Sequence, residues 1–478
     1  MIGMHACELS IDIVRGQRLL TVANASDRER GLFEQLVPGP VSGVLHGPLS
    51  AHNAAAARAV QPNLSPQPVG LATSAGTGDR LGLATPGHSD AFRDFSPTLR
   101  PIFAQQSIRE MDRLGRSPQQ VLDDATFGCI EAGWTGPVGA DADHLKTVYD
   151  IDRCLAAGFT LFTIDVGDFV EAVDGVPSDT DLAVLPWAEL EDDLHSARRR
   201  YASLRIELDV GEQTVDEAAL AHAMGKYGRA VAMGAHLYRH LMDRAMHPVE
   251  VEIAVDETDE PTTPEEHLYI ATELARLGVR WVSFAPRHLG SFEKGVEFSG
   301  DRGALYASIA RHAALARALG PYKIGMHSGS DKFSIYDGLM EHTRGMVHLK
   351  TSGTSYLVAL GVIAQHRPDL FRRAYETSLA AYRAARASYQ VSAAENLVPS
   401  PEGVTDPELP GLLRSAATRQ ILHVGYGAVL REEKSDVASV LGAEIIGALA
   451  AHRDDYRSEL RSHLGRHLAP FSRQEVAS

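Results

Sequence analysis

Two stretches in the C-terminal half of the chain contain residue types that could carry out chemistry. KIGMHSGSDKFSIY (323–336) is an apolar run that reaches His327 and then becomes small and polar. MVHLKTSGTSYLVAL (346–360) places His348 and Lys350 two residues apart, which puts both side chains on one face of a strand. A strand that ends in an imidazole or an ammonium group and opens into a Ser/Gly loop is typical of the catalytic rim of a parallel barrel.

The elements that would position these residues follow a repeating order. Short apolar runs alternate with helical segments that end at glycines such as Gly158, Gly278 and Gly320, and this alternation predicts an α/β fold, a (β/α)8 TIM barrel. A doubly wound open sheet is the alternative, but GTGDRLG (76–82) precedes a predicted strand and is therefore not interpreted as a nucleotide-binding loop. The eight predicted strands are residues 80–88, 125–133, 159–168, 249–258, 279–287, 322–331, 346–353 and 421–430.

The predicted domain organisation has one large unit. Residues 1–75 are expected to form an N-terminal extension packed on the main domain, and residues 76–478 to form the TIM-barrel catalytic domain. Two connections, at about 170–248 and about 355–420, are too long for plain barrel helices and are predicted to be helical insertions. Insertions of this size often form lids or subunit contacts, so they are the expected contact surface if the chain forms a homo-oligomer.

Composition excludes several classes of protein. With 478 residues and 44% hydrophobic content, the chain can bury a large core. A net charge of -16 argues against binding nucleic acid, which requires a basic surface. Three cysteines without a CxxC pair argue against a disulfide framework and against a zinc–thiolate site. Because there is no apolar run of about 18 residues and no leading signal segment, we predict a cytoplasmic protein without a membrane partner.

Three residues at the predicted strand ends form the best candidate metal site. Asp165, His327 and His348 would supply one carboxylate and two imidazoles. This ligand set suits one divalent first-row cation such as zinc, manganese, cobalt or nickel, with open positions for a substrate. Each histidine could instead make only hydrogen bonds inside the barrel, but three donors on the third, sixth and seventh predicted strands favour a metal.

Acid–base and substrate-binding groups are expected at other strand ends. Glu131 and Glu257 are candidate catalytic groups, because a carboxylate in a barrel mouth is costly unless it is paired or used; either could instead support the metal. His88 could contact the substrate or cap a helix. Arg287, helped by Lys350, is the candidate for binding a substrate carboxylate or phosphate, since a guanidinium fork does so bidentately. Weaker candidates are Asp168, Asp256, Glu266, Lys294 and His423.

Five segments together resemble the bacterial tagaturonate/fructuronate epimerases: DVGDF, DETDEPTTPEEH, FAPRHLGSFEKGV, KIGMHSGSDKFSIY and VHLKTSGTSYLVAL. The resemblance runs from about residue 76 to about residue 430 and is most specific between residues 279 and 357. It implies a metal-dependent epimerase of hexuronate catabolism that interconverts D-tagaturonate and D-fructuronate. It also implies a small sugar acid as the partner, and Asp165, His327 and His348 as the metal positions.

The implied reaction constrains the mechanism. The two ketoses differ at carbon 4, whereas the ketone is carbon 2, so an enolate made at carbon 3 cannot invert carbon 4 directly. Retro-aldol cleavage of the C3–C4 bond, rotation of the aldehyde fragment and re-addition would do so. A metal-dependent aldolase, an aldose–ketose isomerase acting on sugar acids and a non-catalytic sugar-acid binding protein remain as alternatives.

Overall fold

A closed barrel of eight parallel strands lies at the centre of the computed structural model, which describes residues 7–14, 16–431 and 438–472. Residues 1–6 and 15 of the predicted extension lie outside the described residues. The strands are β1 (Glu8–Val14), β2 (Gln17–Ala23), β3 (Val37–Pro38), β4 (Val44–Gly47), β5 (Ser74–Gly76), β6 (Arg100–Ser107), β7 (Gly139–Leu145), β8 (Leu161–Asp165), β9 (Arg205–Leu208), β10 (Gly211–Thr214), β11 (Glu250–Ala254), β12 (Ser283–Ala285), β13 (Lys323–Met326) and β14 (Val347–Lys350).

Helices surround the barrel and fill the long connections. They are α1 (Asp27–Arg30), α2 (Ala51–Val60), α3 (Thr85–Phe95), α4 (Ile108–Leu114), α5 (Pro118–Ala132), α6 (Val148–Ala157), α7 (Asp179–Leu182), α8 (Leu194–Ala202), α9 (Glu217–Arg244), α10 (Pro264–Arg276), α11 (Arg302–Leu319), α12 (Tyr336–Thr343), α13 (Thr354–His366), α14 (Pro368–Ala385), α15 (Ala416–Leu430), α16 (Ala438–Ala451) and α17 (Arg453–Leu468). None of the helices in the described ranges is both long enough and apolar enough to cross a membrane.

The barrel confirms the predicted fold class. Its strand order is β5-β6-β7-β8-β11-β12-β13-β14, and β14 pairs with β5 to close it. All eight pairings are parallel, so the carboxyl ends of all eight strands meet at one rim. The strands predicted at 159–168, 249–258, 279–287, 322–331 and 346–353 each contain an observed strand.

Three predicted strands are wrong, because the segments are helical. Residues 80–88 form a loop and the start of α3, residues 125–133 fall largely in α5, and residues 421–430 are the end of α15. Helices α5 and α15 are buried on most sides, so their sequences are apolar without a clear helical period, and such a run resembles a buried strand. The strands that take their places in the barrel are β5, β6 and β7.

The loop GTGDRLG therefore follows strand β5 instead of preceding a strand. The Asp79 carboxylate of this loop accepts hydrogen bonds from the amides of Leu81 and Gly82 in the loop and of Ala84 just after it, at 2.7–3.0 Å. A carboxylate in this position takes the donors that a bound phosphate would need.

Three regions lie outside the barrel: the N-terminal region, the long connection between β8 and β11, and the residues after β14. Strands β1–β4 form a four-stranded antiparallel sheet, and β1 and α2 pack on α5. The 170–248 connection contains α7, α8, the β9–β10 hairpin and α9. Since β14 closes the barrel, residues 355–420 follow the last strand and do not separate two strands. The domain division at about residue 75 stays a prediction, with β5 lying across it.

Candidate active site

A buried ammonium group surrounded by carboxylates lies inside the barrel near the rim. Lys350, on the closing strand β14, places Nζ 2.7 Å from Asp143 Oδ1, 3.0 Å from Asp141 Oδ2 and 2.7 Å from Glu252 Oε1. Burial alone would lower the pKa of Lys350, but the three carboxylates outweigh it and raise the pKa well above its usual value. Lys350 is therefore a cation at the centre of an anionic cluster, and carboxylates of the protein balance its charge.

Two imidazoles adjoin this cluster. The His327 Nε2 atom lies 2.6 Å from Glu252 Oε1, and the His144 Nδ1 atom lies 2.9 Å from Asp165 Oδ2. The two rings meet edge to face, with centroids 5.1 Å apart. Burial lowers the pKa of each histidine, but nearby carboxylates, chiefly Asp143 for His144 and Asp256 for His327, outweigh it; the pKa of His144 rises to about 10 and that of His327 to about 9. The carboxylates therefore favour a positive charge at these rings, carried either by protons or by a metal ion in their place.

Two overlapping sets of donors in this region could hold a metal ion. One is Asp143, His144 and His327, and the other is His144, Asp165 and Glu257; within each set the donor atoms lie within 4.8 Å of one another. The Nδ1 atom of His327 and the Oδ1 atom of Asp256 form an ion pair at 3.0 Å, and neither atom has a hydrogen bond to another residue in the described part of the chain. An imidazole nitrogen and a carboxylate oxygen that face one another and have no other partner are donor types that a divalent cation takes.

The structure does not bring the predicted ligands Asp165, His327 and His348 together. In the strand register His348 pairs with Gly325, two residues below His327, so His348 lies one layer deeper in the barrel. Its Nδ1 atom is 2.9 Å from the Ser74 hydroxyl oxygen, which also accepts a hydrogen bond from Lys323. Asp165 instead contacts the Nδ1 atom of His144 at 2.9 Å and belongs to the second donor set.

A cavity of about 320 Å³ opens above the cluster at the rim. Arg287 lines it from the end of β12, and the guanidinium group has no hydrogen bond or ion pair with any described residue. Glu257 also lines it, and its carboxylate accepts two hydrogen bonds from Arg109, at 2.8 and 3.2 Å. Lys294 lines both this cavity and a smaller one of about 20 Å³ beneath it, which reaches Lys350.

Two predicted catalytic residues lie away from the rim. Glu131 is near the C-terminal end of α5 and forms an ion pair with Arg18 at 2.6 Å, on the outside of the barrel. His88 is buried in α3, where its Nε2 atom is 2.7 Å from the Ser355 hydroxyl oxygen. Both were assigned to strand ends that are helical, so neither is positioned to act with Glu257.

The weaker candidates also find structural partners. Glu266 forms the capping box of α10 with Thr263 and an ion pair with Lys226. Asp168 pairs with Lys146 at 2.6 Å. His423 belongs to helix α15, although its side chain reaches the smaller cavity.

Sequence reasoning missed four residues of the cluster: Asp141, Asp143, His144 and Glu252. The first three belong to β7 (GADADHL), whose last four residues were included in the predicted helix that ends at Gly158. The signal was present as alternation, since Ala140 and Ala142 alternate with Asp141 and Asp143, a period of two that indicates a strand. Glu252 lies within VEVEIAV, which alternates in the same way.

A parallel barrel with acids, imidazoles and amines collected at the carboxyl ends of its strands defines a TIM-barrel enzyme. The sequence model of the tagaturonate epimerase family UxaE matches residues 13–471. The chain is 38% identical over 410 residues to the tagaturonate/fructuronate epimerase of Thermotoga maritima, which covers 85% of this chain and 82% of that relative. The chain therefore belongs to the tagaturonate epimerase family, and it is an isomerase of the carbohydrate-epimerase type.

Solved structures agree with this assignment. Crystal structures of fructuronate-tagaturonate epimerase UxaE from Cohnella laeviribosi, one native and one complexed with glycerol, align with a TM-score of 0.87 at 32% identity. The alignments cover 98% of this chain and 94% of the Cohnella chain. The N-terminal part, in which the sequence alone showed no resemblance, is therefore almost entirely included.

Proposed function

We propose that this protein interconverts D-tagaturonate and D-fructuronate by inversion at carbon 4, with the help of one divalent cation. The observation that carries the proposal is the Arg287 guanidinium group, which lines the mouth cavity without an ion pair or side-chain hydrogen bond to any described residue, although Asp256 and Asp259 line the same cavity. By contrast, Lys350 and Arg109 are neutralised by carboxylates of the protein. An unpaired guanidinium group beside a reactive cluster supports recognition of a substrate that brings its own carboxylate.

Lys350, which we predicted to help Arg287, has a different place in this proposal. It is 3% exposed and contacts three carboxylates, so its ammonium group has no free face for a substrate carboxylate. The cation that faces the cavity without a carboxylate partner among the described residues, besides Arg287, is Lys294. The uronate group would therefore lie on the Arg287 side of the mouth.

The proposed metal ligands are Asp143, His144 and His327, with Asp256 beside them. When bound, the cation would supply Lewis acidity at the carbon-2 carbonyl of the ketose. Asp165 would hold the His144 ring through its Nδ1 atom. The other ring nitrogen, Nε2, would then face Asp143, whose Oδ1 atom lies 3.8 Å from it. The donor set suits zinc, manganese, cobalt or nickel.

Glu257 is the proposed acid–base residue. It lies at the mouth, and Arg109 fixes its carboxylate. In the forward direction Glu257 would accept the proton of the carbon-4 hydroxyl; the C3–C4 bond then breaks, carbon 4 becomes an aldehyde, and the electron pair moves to the carbon-2 oxygen as an enolate. Rotation of the aldehyde, re-formation of the C3–C4 bond and return of the proton give the epimer. Confinement in a cavity of about 320 Å³ would keep the two fragments together.

The direct test is NMR of the protein incubated with D-fructuronate or with D-tagaturonate. We expect each sugar to convert to a mixture of the two. Release of two three-carbon fragments would support an aldolase, an aldose product would support an aldose–ketose isomerase, and unchanged sugar would support a binding protein. Any of these three results would contradict the proposal.

Replacement of Arg287 by alanine tests how the carboxylate is recognised. A charge-assisted hydrogen bond contributes about 1.5–3 kcal/mol, so kcat/KM for the uronate should fall about tenfold to a hundredfold. Turnover of the neutral ketohexoses fructose and tagatose should change little. Arg280→Ala is a matched control, because Arg280 lies before β12 at the opposite end of the barrel. An equal loss on acidic and neutral sugars would show that Arg287 supports the structure instead.

A further inference from the structure

Lys294 occupies an unusual position at the mouth. It lines the outer cavity together with Arg287 and the inner cavity together with Lys350, so it lies where the two meet. Its ammonium group donates a 2.7 Å hydrogen bond to the hydroxyl of Ser328, the residue that follows His327. No described carboxylate forms an ion pair with it, so its charge is available to a molecule in the cavity.

The loop that carries Lys294, here called the lysine loop (residues 292–296), is held by two cations that bind its backbone. The buried Lys332 ammonium group donates to the carbonyl oxygens of Glu293 at 2.9 Å and Val296 at 2.5 Å. The Arg419 guanidinium group donates through Nε to the carbonyl oxygen of Gly295 at 2.6 Å. The carbonyl oxygen of Ser330, at 3.0 Å, is a third acceptor for Lys332, so the buried ammonium group is fully hydrogen-bonded and fixes the loop backbone at two points.

Arg419 also joins the lysine loop to the loop that follows His327. Its Nη2 atom donates to Asp331 Oδ2 at 2.8 Å, and the backbone amide of Asp331 donates to His467 on α17 at 2.9 Å. Ser328 and Asp331 have positive φ values of 50° and 59°, conformations that non-glycine residues adopt only when their surroundings impose them. A single guanidinium group therefore fixes the two loops that carry Lys294 and its partner Ser328.

We propose that Lys294 contacts a substrate oxygen that gains negative charge during the reaction, and that Arg419 and Lys332 are positioning residues that direct Lys294 into the mouth. This inference rests on the proposed epimerase function. Since Lys294 reaches deeper than Arg287, the two cations divide the substrate: Arg287 holds the carboxylate, and Lys294 faces the oxygens near the reacting carbons. Lys294 should thus stabilise mainly the transition state, whereas Arg287 should bind the ground state and the transition state equally well.

The test measures kcat and KM for the uronate in five variants. Loss of one donor to a developing oxyanion lowers kcat about a hundredfold or more, so Lys294→Met should lower kcat by about this factor with KM nearly unchanged. Arg419→Gln and Lys332→Met should each lower kcat about tenfold, and Arg419→Lys should restore part of the loss. Arg317→Gln is the control. It removes a guanidinium group that donates two hydrogen bonds to Asp209, away from the mouth, and it should leave kcat unchanged.

The decisive comparison is the double variant Lys294→Met/Arg419→Gln. If Arg419 acts through Lys294, the double variant should be no slower than Lys294→Met alone. A further tenfold loss in the double variant, or an Arg419→Gln protein that melts earlier than wild type but keeps its kcat, would overturn the inference. Absence of epimerase activity in the wild type would instead overturn the proposed function, so the two failures are distinguishable.

Discussion

Replacement of Lys350 by methionine is expected to destabilise the protein by about 3–5 kcal/mol, because it leaves three buried carboxylates without their common counter-ion. Those carboxylates belong to Asp141, Asp143 and Glu252, all within 3.0 Å of the ammonium nitrogen. For a chain of this length the thermal midpoint should fall by roughly 1 °C for each kcal/mol. Activity should be lost as well, since Asp143 is also a proposed metal ligand.

A second substitution separates charge imbalance from lost packing. Lys350→Met/Asp141→Asn removes one of the uncompensated carboxylates and should recover part of the midpoint relative to Lys350→Met. The measurement is differential scanning fluorimetry at a fixed scan rate with all variants compared side by side. A double variant that is less stable than the single one would show that Lys350 contributes through its packing, and the electrostatic account of the cluster would have to be abandoned.

Removal of the proposed metal ion is expected to abolish most of the activity. After chelation and dialysis, turnover should fall at least about a hundredfold, since even residues that merely support a ligand change metal affinity or activity by about ten- to a hundredfold. Zinc, manganese, cobalt or nickel added back one at a time should restore it to different extents. Metal content, measured by mass spectrometry of the purified protein, gives a readout that does not depend on turnover.

Two histidine variants then decide between the ligand set predicted from sequence and the set proposed from the structure. His144→Asn should purify with little metal, whereas His348→Asn should retain it, because His348 bonds Ser74 one layer deeper. His327→Ala should lose the metal under either set. If His348→Asn loses the metal and His144→Asn keeps it, the earlier set of Asp165, His327 and His348 is the better description.

The sequence predicted the barrel and five of its eight strands, and the reasons for the hits and the misses can be identified. Strands such as β13 and β14 are short, apolar and bounded by Gly and Ser, so their positions follow from local pattern. The segments 125–133 of α5 and 421–430 of α15 are also short apolar runs, and only tertiary contacts distinguish them from strands. The error then passed to the site: Glu131 was placed on the rim because its helix was taken for a strand.

The local sequence pattern also could not show how deep in the barrel a side chain lies. His348 and His327 both precede polar loops, and nothing in their immediate sequence shows that one lies a layer below the other. That follows from the pairing of His348 with Gly325, a relation between two strands. In the same way, the neutralisation of Lys350 by β7 and β11 depends on residues about a hundred to two hundred positions away in sequence.

The closing strand has a consequence for the order in which the chain can fold during synthesis. Asp143 and Lys350 are 207 positions apart, and β5 cannot find its second neighbour until β14 has left the ribosome. Until then the growing chain holds a partial sheet whose acids would be buried without a counter-charge, so hydration keeps that region open. The barrel should therefore assemble late and in one step, and a fragment that ends before residue 347 should not form the closed barrel, although its helices can form.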